Sequence, residues 1–200
     1  MIKNIIFDFG DVFINLDKEI VFREMQKYGS LELTPKLLET SYNYEIGAIT
    51  SETFIKALKE TFPSASTEEI IAVWNGMILD FPDYRLEFIE QLAKENTHRL
   101  FLLSNTNSLH ISKVKENMGG QKYNRFKNCF EQFYLSHEIE MRKPHNSIYE
   151  FVLRENKLTA PETLFIDDTA ENTDAAKALG IETWNLKVGK EDITQLKSRI

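Results

Sequence analysis

The carboxylate of Asp8 is the first candidate for chemistry, because it ends an apolar run and precedes a turn that contains Gly10. A continuous apolar run predicts a strand buried on both faces, and open α/β sheets bind ligands at the carboxyl ends of their strands. Taken alone, Asp8 fits equally well as an acid that caps a turn.

Asp167 and Asp168 also follow an apolar run. Because adjacent carboxylates repel unless a cation lies between them, this pair indicates a site for a hard cation such as Mg²⁺.

Ser104 with Asn105, and Lys143, are further polar residues that lie next to a predicted strand or helix. Ser104 and Asn105 follow the apolar run 100–103, where a hydroxyl, an amide and backbone N–H groups can hold an anion, although both are also common helix caps. Lys143 precedes Pro144, where a fixed ammonium can neutralise carboxylates and phosphate, although most lysines are surface residues. An acid, a hydroxyl with an amide, a lysine and an acid pair are the groups that metal-assisted phosphoryl transfer through an aspartyl intermediate requires.

The elements that must position these groups alternate between strands and helices. Short apolar runs predict five parallel strands, at residues 5–7, 100–103, 133–135, 164–166 and 181–184. Helices are predicted between them, at residues 106–115, 144–153 and 170–179. This alternation predicts an α/β fold with a doubly wound parallel sheet.

The interval 15–85 has helical periodicity and no convincing strand, and it is too long for a simple crossover. Four amphipathic helices are predicted there, at residues 18–28, 35–44, 51–61 and 66–75. The sequence therefore predicts a helical cap at 15–85, inserted after the first strand of a core made of residues 1–14 and 86–200. Tyr42, Tyr44 and Glu45 stand where a cap helix ends and are candidates for lining a cleft.

The composition excludes several classes of protein. The chain has 31 acidic and 24 basic residues among 200, with a formal net charge of -7, so a nucleic-acid partner is not expected. Cys129 is the single cysteine, and no run of about 18 apolar residues exists that could span a membrane. The first residues lack the features of a secretion signal, so we expect a cytoplasmic protein without a membrane partner.

The motifs FDFGDV, LLSN, RKP and FIDDTAEN, in this order, resemble the four motifs of the haloacid dehalogenase-like (HAD) hydrolase superfamily. The resemblance covers nearly the whole chain and implies a Rossmann-like core with a helical cap. More narrowly, YEIGAIT, LLSNTN, MRKPHNSIY and DDTAENTDAAKALGI resemble a phosphatase subgroup that includes bacterial glucose-1-phosphate phosphatases. The resemblance implies a phosphoric monoester hydrolase with a Mg²⁺ cofactor and a small-molecule phosphate ester substrate, such as an anomeric hexose phosphate.

The resemblance also implies roles for individual residues. Asp8 attacks phosphorus and forms a phosphoaspartate that water then hydrolyses. Mg²⁺ binds the Asp8 carboxylate, the backbone carbonyl of Gly10 and an acid of the last motif. We expect Asp168 to be that direct ligand, with Asp167 holding a metal-bound water or the catalytic lysine.

The remaining motif residues are expected to bind and orient. Ser104 and Asn105 bind the transferring phosphoryl oxygens, and Lys143 offsets the charge between the nucleophile and the phosphate. Asn172 orients the loop that carries the acid pair.

The chain departs from the pattern at Gly10, where most phosphatases of the superfamily carry an aspartate that protonates the leaving group. Either Asp11 or a water compensates, or the substrate has a better leaving group, as an anomeric phosphate does. A haloacid dehalogenase would not need the acid pair, and its tyrosine-glycine-threonine turn is absent. A mutase would need the missing acid. A catalytically idle binding protein is the alternative from another class.

Overall fold

In the computed structural model, which describes residues 1–29 and 34–200, five parallel strands form one sheet in the order β3-β2-β1-β4-β5. The strands are β1 (Asn4–Phe7), β2 (Arg99–Ser104), β3 (Gln132–Leu135), β4 (Thr163–Asp167) and β5 (Glu182–Asn185). The central strand β1 is buried along its length, as its continuous apolar run predicts. Phe7 pairs with both Leu102 and Ile166, so the register brings Asp8 beside the end of β4.

Ten α-helices surround and extend the sheet in the described residues. They are α1 (Ile20–Met25), α2 (Pro35–Glu45), α3 (Ser51–Thr61), α4 (Thr67–Asn75), α5 (Asp83–Glu95), α6 (Ser108–Met118), α7 (Gly120–Lys127), α8 (Ser136–Ile139), α9 (Asn146–Asn156) and α10 (Ala170–Ala178). Short 3-10 helices cover Gln26–Tyr28, Ala160–Glu162 and Ile193–Ser198. No helix in this part of the chain is long and apolar enough to cross a membrane.

The two faces of the sheet bury separate apolar clusters because successive side chains of a strand point in opposite directions. Ile5 and Phe7 belong to one cluster, which is rich in aromatic rings from the loop after β1 and from α7. Ile6 belongs to the other, with Tyr149 of α9. The predicted doubly wound α/β fold is confirmed, whereas α5 and α7 were not predicted as helices.

The helices α1 to α4 bury their own apolar cluster, which includes Met25, Phe54 and Ile70. Ser66 and Glu69 form the expected capping box at the start of α4: the Ser66 hydroxyl accepts from Glu69 N at 3.1 Å, and the Glu69 carboxylate accepts from Ser66 N at 2.7 Å. The division into a cap at 15–85 and a core stays a prediction; α5, which packs on the sheet cluster, begins at Asp83.

The four-helix unit contacts the sheet domain closely at two points. Gly47 has φ 72°, and a Cβ added there would lie 2.2 Å from the carbonyl oxygen of His137, so no larger residue fits. Trp74 stacks on His110 of α6 with ring centroids 5.1 Å apart. Tyr44 lies in this junction too, only 2% exposed and stacked on Phe54, and the prediction that it lines a cleft is wrong.

Candidate active site

Asp8, Lys143 and Asp167 form a buried ion cluster at the carboxyl edge of the sheet. The Nζ atom of Lys143 lies 2.7 Å from Asp8 Oδ1 and 2.6 Å from Asp167 Oδ2. Its side chain is 1% exposed, and those of the two acids are 11% and 0% exposed. The structure therefore brings together three predicted residues that are far apart in sequence.

The charged groups of this cluster shift one another's pKa values. Burial raises the pKa of the Asp8 carboxyl to about 7, with a smaller contribution from Asp167, while the Lys143 ammonium opposes the rise. Burial alone would lower the pKa of Lys143, but the charges of Asp167 and Asp8 outweigh it and raise that pKa. Lys143 is accordingly a permanent cation that favours the ionised, nucleophilic form of Asp8.

Asp167 is held by neighbours of its own. The side-chain amide of Asn172 donates to both carboxylate oxygens, at 3.1 and 3.0 Å, and the backbone N–H of Thr169 donates to Oδ1 at 2.8 Å. The hydroxyl of Tyr149 donates to the backbone carbonyl of Asn172 at 2.8 Å. Asn172 thus contacts the acid loop as predicted, and Asp167 is oriented toward Lys143.

A cation site is formed by Asp8, Asp167 and Asp168, which offer carboxylate oxygens within 4.8 Å of one another. An all-oxygen, anionic donor set suits a hard cation, so the side chains fit Mg²⁺. Both acids of the pair bind a lysine: Asp167 contacts the buried Lys143, and Asp168 contacts Lys18, whose side chain is 48% exposed. Gly10 lies in the turn directly after Asp8, bridged to Ile14.

Ser104 and Asn105 lie where β2 ends, beside the ion cluster. Ser104 is 3% exposed, and its hydroxyl has one weak contact, with the Asn105 carbonyl at 3.5 Å. The Asn105 side chain donates to the Lys143 carbonyl at 2.8 Å and accepts from the Lys143 N–H at 2.9 Å. The Asn105 side chain therefore holds the backbone of Lys143, and the predicted contact of Ser104 and Asn105 with a phosphoryl group stays a prediction.

The region around Gly10 contains two residues that sequence reasoning missed. A Cβ added at Gly10 would lie 2.7 Å from Leu16 Cδ1, so a side chain at position 10 requires the end of Leu16 to move. Lys18 pairs with Asp11 Oδ2 at 2.8 Å and with Asp168 Oδ2 at 2.6 Å. No sequence motif marked Leu16 or Lys18, because both belong to the linker before α1.

The four-helix unit and the sheet domain also meet through charged groups next to Lys143. Glu45 pairs with Arg142 Nε at 2.9 Å, and the Arg142 guanidinium lies over the Tyr42 ring, 5.2 Å from its centroid. The Tyr42 hydroxyl lies 3.4 Å from His145 Nε2. Burial raises the pKa of Glu45, although Arg142 and Lys143 oppose the rise. Tyr42 and Glu45 of α2 thus contact the segment that carries Arg142 and His145, and their place in a cleft stays a prediction.

A cavity of about 240 Å³ lies among the cap helices, lined by Lys18, Phe22, Leu58, Trp74 and Met77 with other apolar side chains. A smaller cavity of about 70 Å³ touches Gly10, Ser104 and Asn105, and Met77 lines both. Met77 therefore borders both spaces.

A parallel sheet whose carboxyl edge holds an aspartate, a buried lysine and an acid pair is the arrangement of a class of α/β hydrolases. The sequence model of haloacid dehalogenase-like hydrolases matches residues 2–180. The chain belongs to that family, as its motifs predicted.

Relatives with known structures or activities cover almost the whole chain. D-ribitol-5-phosphate phosphatase of Bacteroides thetaiotaomicron is 28% identical over 197 residues, which are 96% of this chain and 95% of that protein. A HAD family enzyme of the same organism, crystallised with magnesium and inorganic phosphate, is 31% identical, with TM-score 0.76 over 96% of this chain and 97% of the other. A predicted HAD-like hydrolase of Porphyromonas gingivalis is 27% identical, with TM-score 0.81 over 100% of this chain and 98% of the other.

These similarities test the predicted fold, family, activity and cofactor. The fold and the family are confirmed for this chain. The predicted phosphoric monoester hydrolase and the predicted Mg²⁺ cofactor are confirmed at the level of its relatives, which include a phosphatase and a complex with magnesium and inorganic phosphate.

Proposed function

We propose that this chain is a Mg²⁺-dependent phosphatase that hydrolyses a small phosphate ester through a phosphoaspartate at Asp8. The observation that carries the proposal is the buried contact of Lys143 with Asp8 and Asp167, next to the acid triplet that Asp168 completes. A binding protein that had lost its chemistry would not need this cluster, since a whole buried ion pair can be replaced by well-packed apolar side chains at little cost in stability.

Each residue has a task in the proposed reaction. Asp8 supplies the attacking carboxylate oxygen, and Lys143 binds a phosphoryl oxygen while it keeps Asp8 ionised. Ser104 donates its hydroxyl to another phosphoryl oxygen, and Asn105 holds Lys143 in place. Mg²⁺, held by Asp8, Asp168 and the carbonyl of Gly10, neutralises negative charge on the phosphate.

For the substrate, we propose a sugar or sugar-alcohol phosphate. The relative that is named for D-ribitol 5-phosphate supports this choice, and so do the polar groups of Tyr42, Glu45, Arg142 and His145 where the cap meets the core. Phosphate esters with an apolar body are a second candidate class of substrate. The observation in their favour is that the cap cavity is lined by apolar side chains.

Release of inorganic phosphate tests this function. The chain is incubated with Mg²⁺ and a panel of hexose 1-phosphates, pentitol phosphates and alkyl phosphates. We expect release that stops with a chelator and in the Asp8→Asn variant, and that persists in Asp174→Asn, which changes an exposed acid of α10. Activity that survives chelation contradicts the metal assignment, and tight binding of esters without turnover supports the binding protein instead.

A further inference from the structure

Lys18 is a second lysine at the acid cluster, and it contacts other acids than the buried Lys143 does. Its ammonium lies 2.6 Å from Asp168 Oδ2 and 2.8 Å from Asp11 Oδ2. The Lys18 side chain is 48% exposed, whereas that of Lys143 is 1% exposed. Lys18 is therefore a cation that an arriving ligand can touch.

Asp11, the acid next to Gly10 in sequence, is not free to serve the leaving group. Gly10 itself has no side chain, and one placed there would require the end of Leu16 to move. Asp11 accepts from the backbone N–H of Leu16 at 3.1 Å with one oxygen and pairs with Lys18 through the other. Since both Asp11 oxygens are engaged, this carboxylate does not replace the missing acid.

Lys18 lies between the cavity of the helices α1 to α4 and the acid cluster. Its side chain lines the cap cavity together with Trp74 and Met77, and its ammonium reaches the acid cluster that surrounds Asp8. In a bound ester the leaving oxygen lies between the phosphorus, which Asp8 attacks, and the organic group, which the cap covers. Among the described residues that line this cavity, Lys18 carries the positive charge.

We propose that the Lys18 ammonium donates a hydrogen bond to the leaving oxygen of the substrate and stabilises the negative charge that develops there, an inference that rests on the proposed phosphatase function. The bond from Asp8 Oδ to phosphorus forms while the bond from phosphorus to the leaving oxygen breaks, and the electron pair stays on that oxygen. The alkoxide takes a proton from water. The hydroxide so formed attacks the phosphoaspartate, which releases phosphate and restores Asp8.

The test is a series of esters whose leaving groups differ in basicity, from 4-nitrophenyl phosphate through phenyl phosphate to an alkyl phosphate. The kcat/KM of Lys18→Gln is compared with those of the unmodified chain, of Lys18→Arg and of Lys197→Gln, a lysine that pairs with the distant Glu95. Removal of one preorganised donor at a developing oxyanion costs roughly 10²–10³ in rate. We expect a loss of that size for the alkyl ester, almost none for the nitrophenyl ester, and recovery in Lys18→Arg.

The outcomes separate this inference from the proposed function. A loss that is equal for all esters, or one that follows weaker Mg²⁺ binding in a calorimetric titration, would mean that Lys18 acts only by positioning Asp168, and it overturns the inference. An unchanged rate for every ester overturns it as well. If the unmodified chain releases no phosphate from any ester with Mg²⁺, the proposed function itself has failed.

Discussion

The Nζ atom of Lys143 lies 2.7 Å from Oδ1 of Asp8, and the pair is shielded from solvent. Asp8 follows the central strand, and Lys143 reaches it from the segment before α9. The Asn105 side chain hydrogen-bonds to both the backbone N–H and the backbone carbonyl of Lys143. The contact therefore depends on three distant parts of the chain. It explains how a carboxyl group whose pKa burial raises can still act as an anion.

Replacing Lys143 with Met is expected to destabilise the fold as well as abolish activity. The substitution leaves Asp8 and Asp167 buried without their cation, and breaking such a pair costs about 3–5 kcal/mol. Urea unfolding at pH 7 without Mg²⁺ measures this loss, and Lys197→Met is the surface control. A Lys143→Met variant as stable as the control would contradict the described ion cluster.

A Gly10→Asp substitution alone is expected to lower stability by about 0.5–1.5 kcal/mol, because the end of the Leu16 side chain must shift to admit the new Cβ. The double variant Gly10→Asp/Leu16→Ala makes room for the acid. We expect it to turn over primary-alcohol phosphates faster, and anomeric phosphates little faster, because the new acid protonates the poorer leaving oxygen. Turnover of both esters, with Leu16→Ala as control, checks this. Equal gains on both would count against the leaving-group explanation for Gly10.

His110 predicts a pH dependence of stability at the cap–core junction. Burial lowers its pKa from 6.5 to about 4, partly opposed by the Trp74 carbonyl at 3.1 Å. The unfolded chain therefore binds the proton more tightly, and the fold loses stability as the pH falls from 6.5 towards 4, by about 3 kcal/mol in total. In His110→Gln this contribution is absent, so the unfolding free energy should fall less between pH 7 and pH 4.5. If the unfolding free energies of the two proteins fell equally between pH 7 and pH 4.5, His110 would not titrate in this way.

The strands and the order of the motifs were predictable because each depends on local sequence. Continuous apolar runs identify β1 and β4, and Ser66 with Glu69 marks the start of α4. The predicted start of α6 was two residues early, because the Asn107 side chain, rather than Thr106, accepts from the N–H of His110 and caps the helix.

Other features depend on contacts that no local pattern contains. The burial of Tyr44 follows from its stacking on Phe54 and from its hydroxyl, which accepts from the Leu109 N–H at 3.2 Å. Asn105 binds Lys143 only because two loops meet at the edge of the sheet. Lys18 was missed for the same reason, since its partner Asp168 lies 150 residues later in the chain.

Trapping of the phosphoenzyme tests the central claim, a nucleophilic Asp8, most directly. The chain is mixed with Mg²⁺ and a phosphate ester labelled with radioactive phosphorus, quenched in acid within the first turnover, digested and mapped. We predict an acyl-phosphate label, lost on treatment with hydroxylamine, on the peptide that contains Asp8, and no label in Asp8→Asn. Rapid turnover with no label on that peptide, or with label on another residue, would contradict the account.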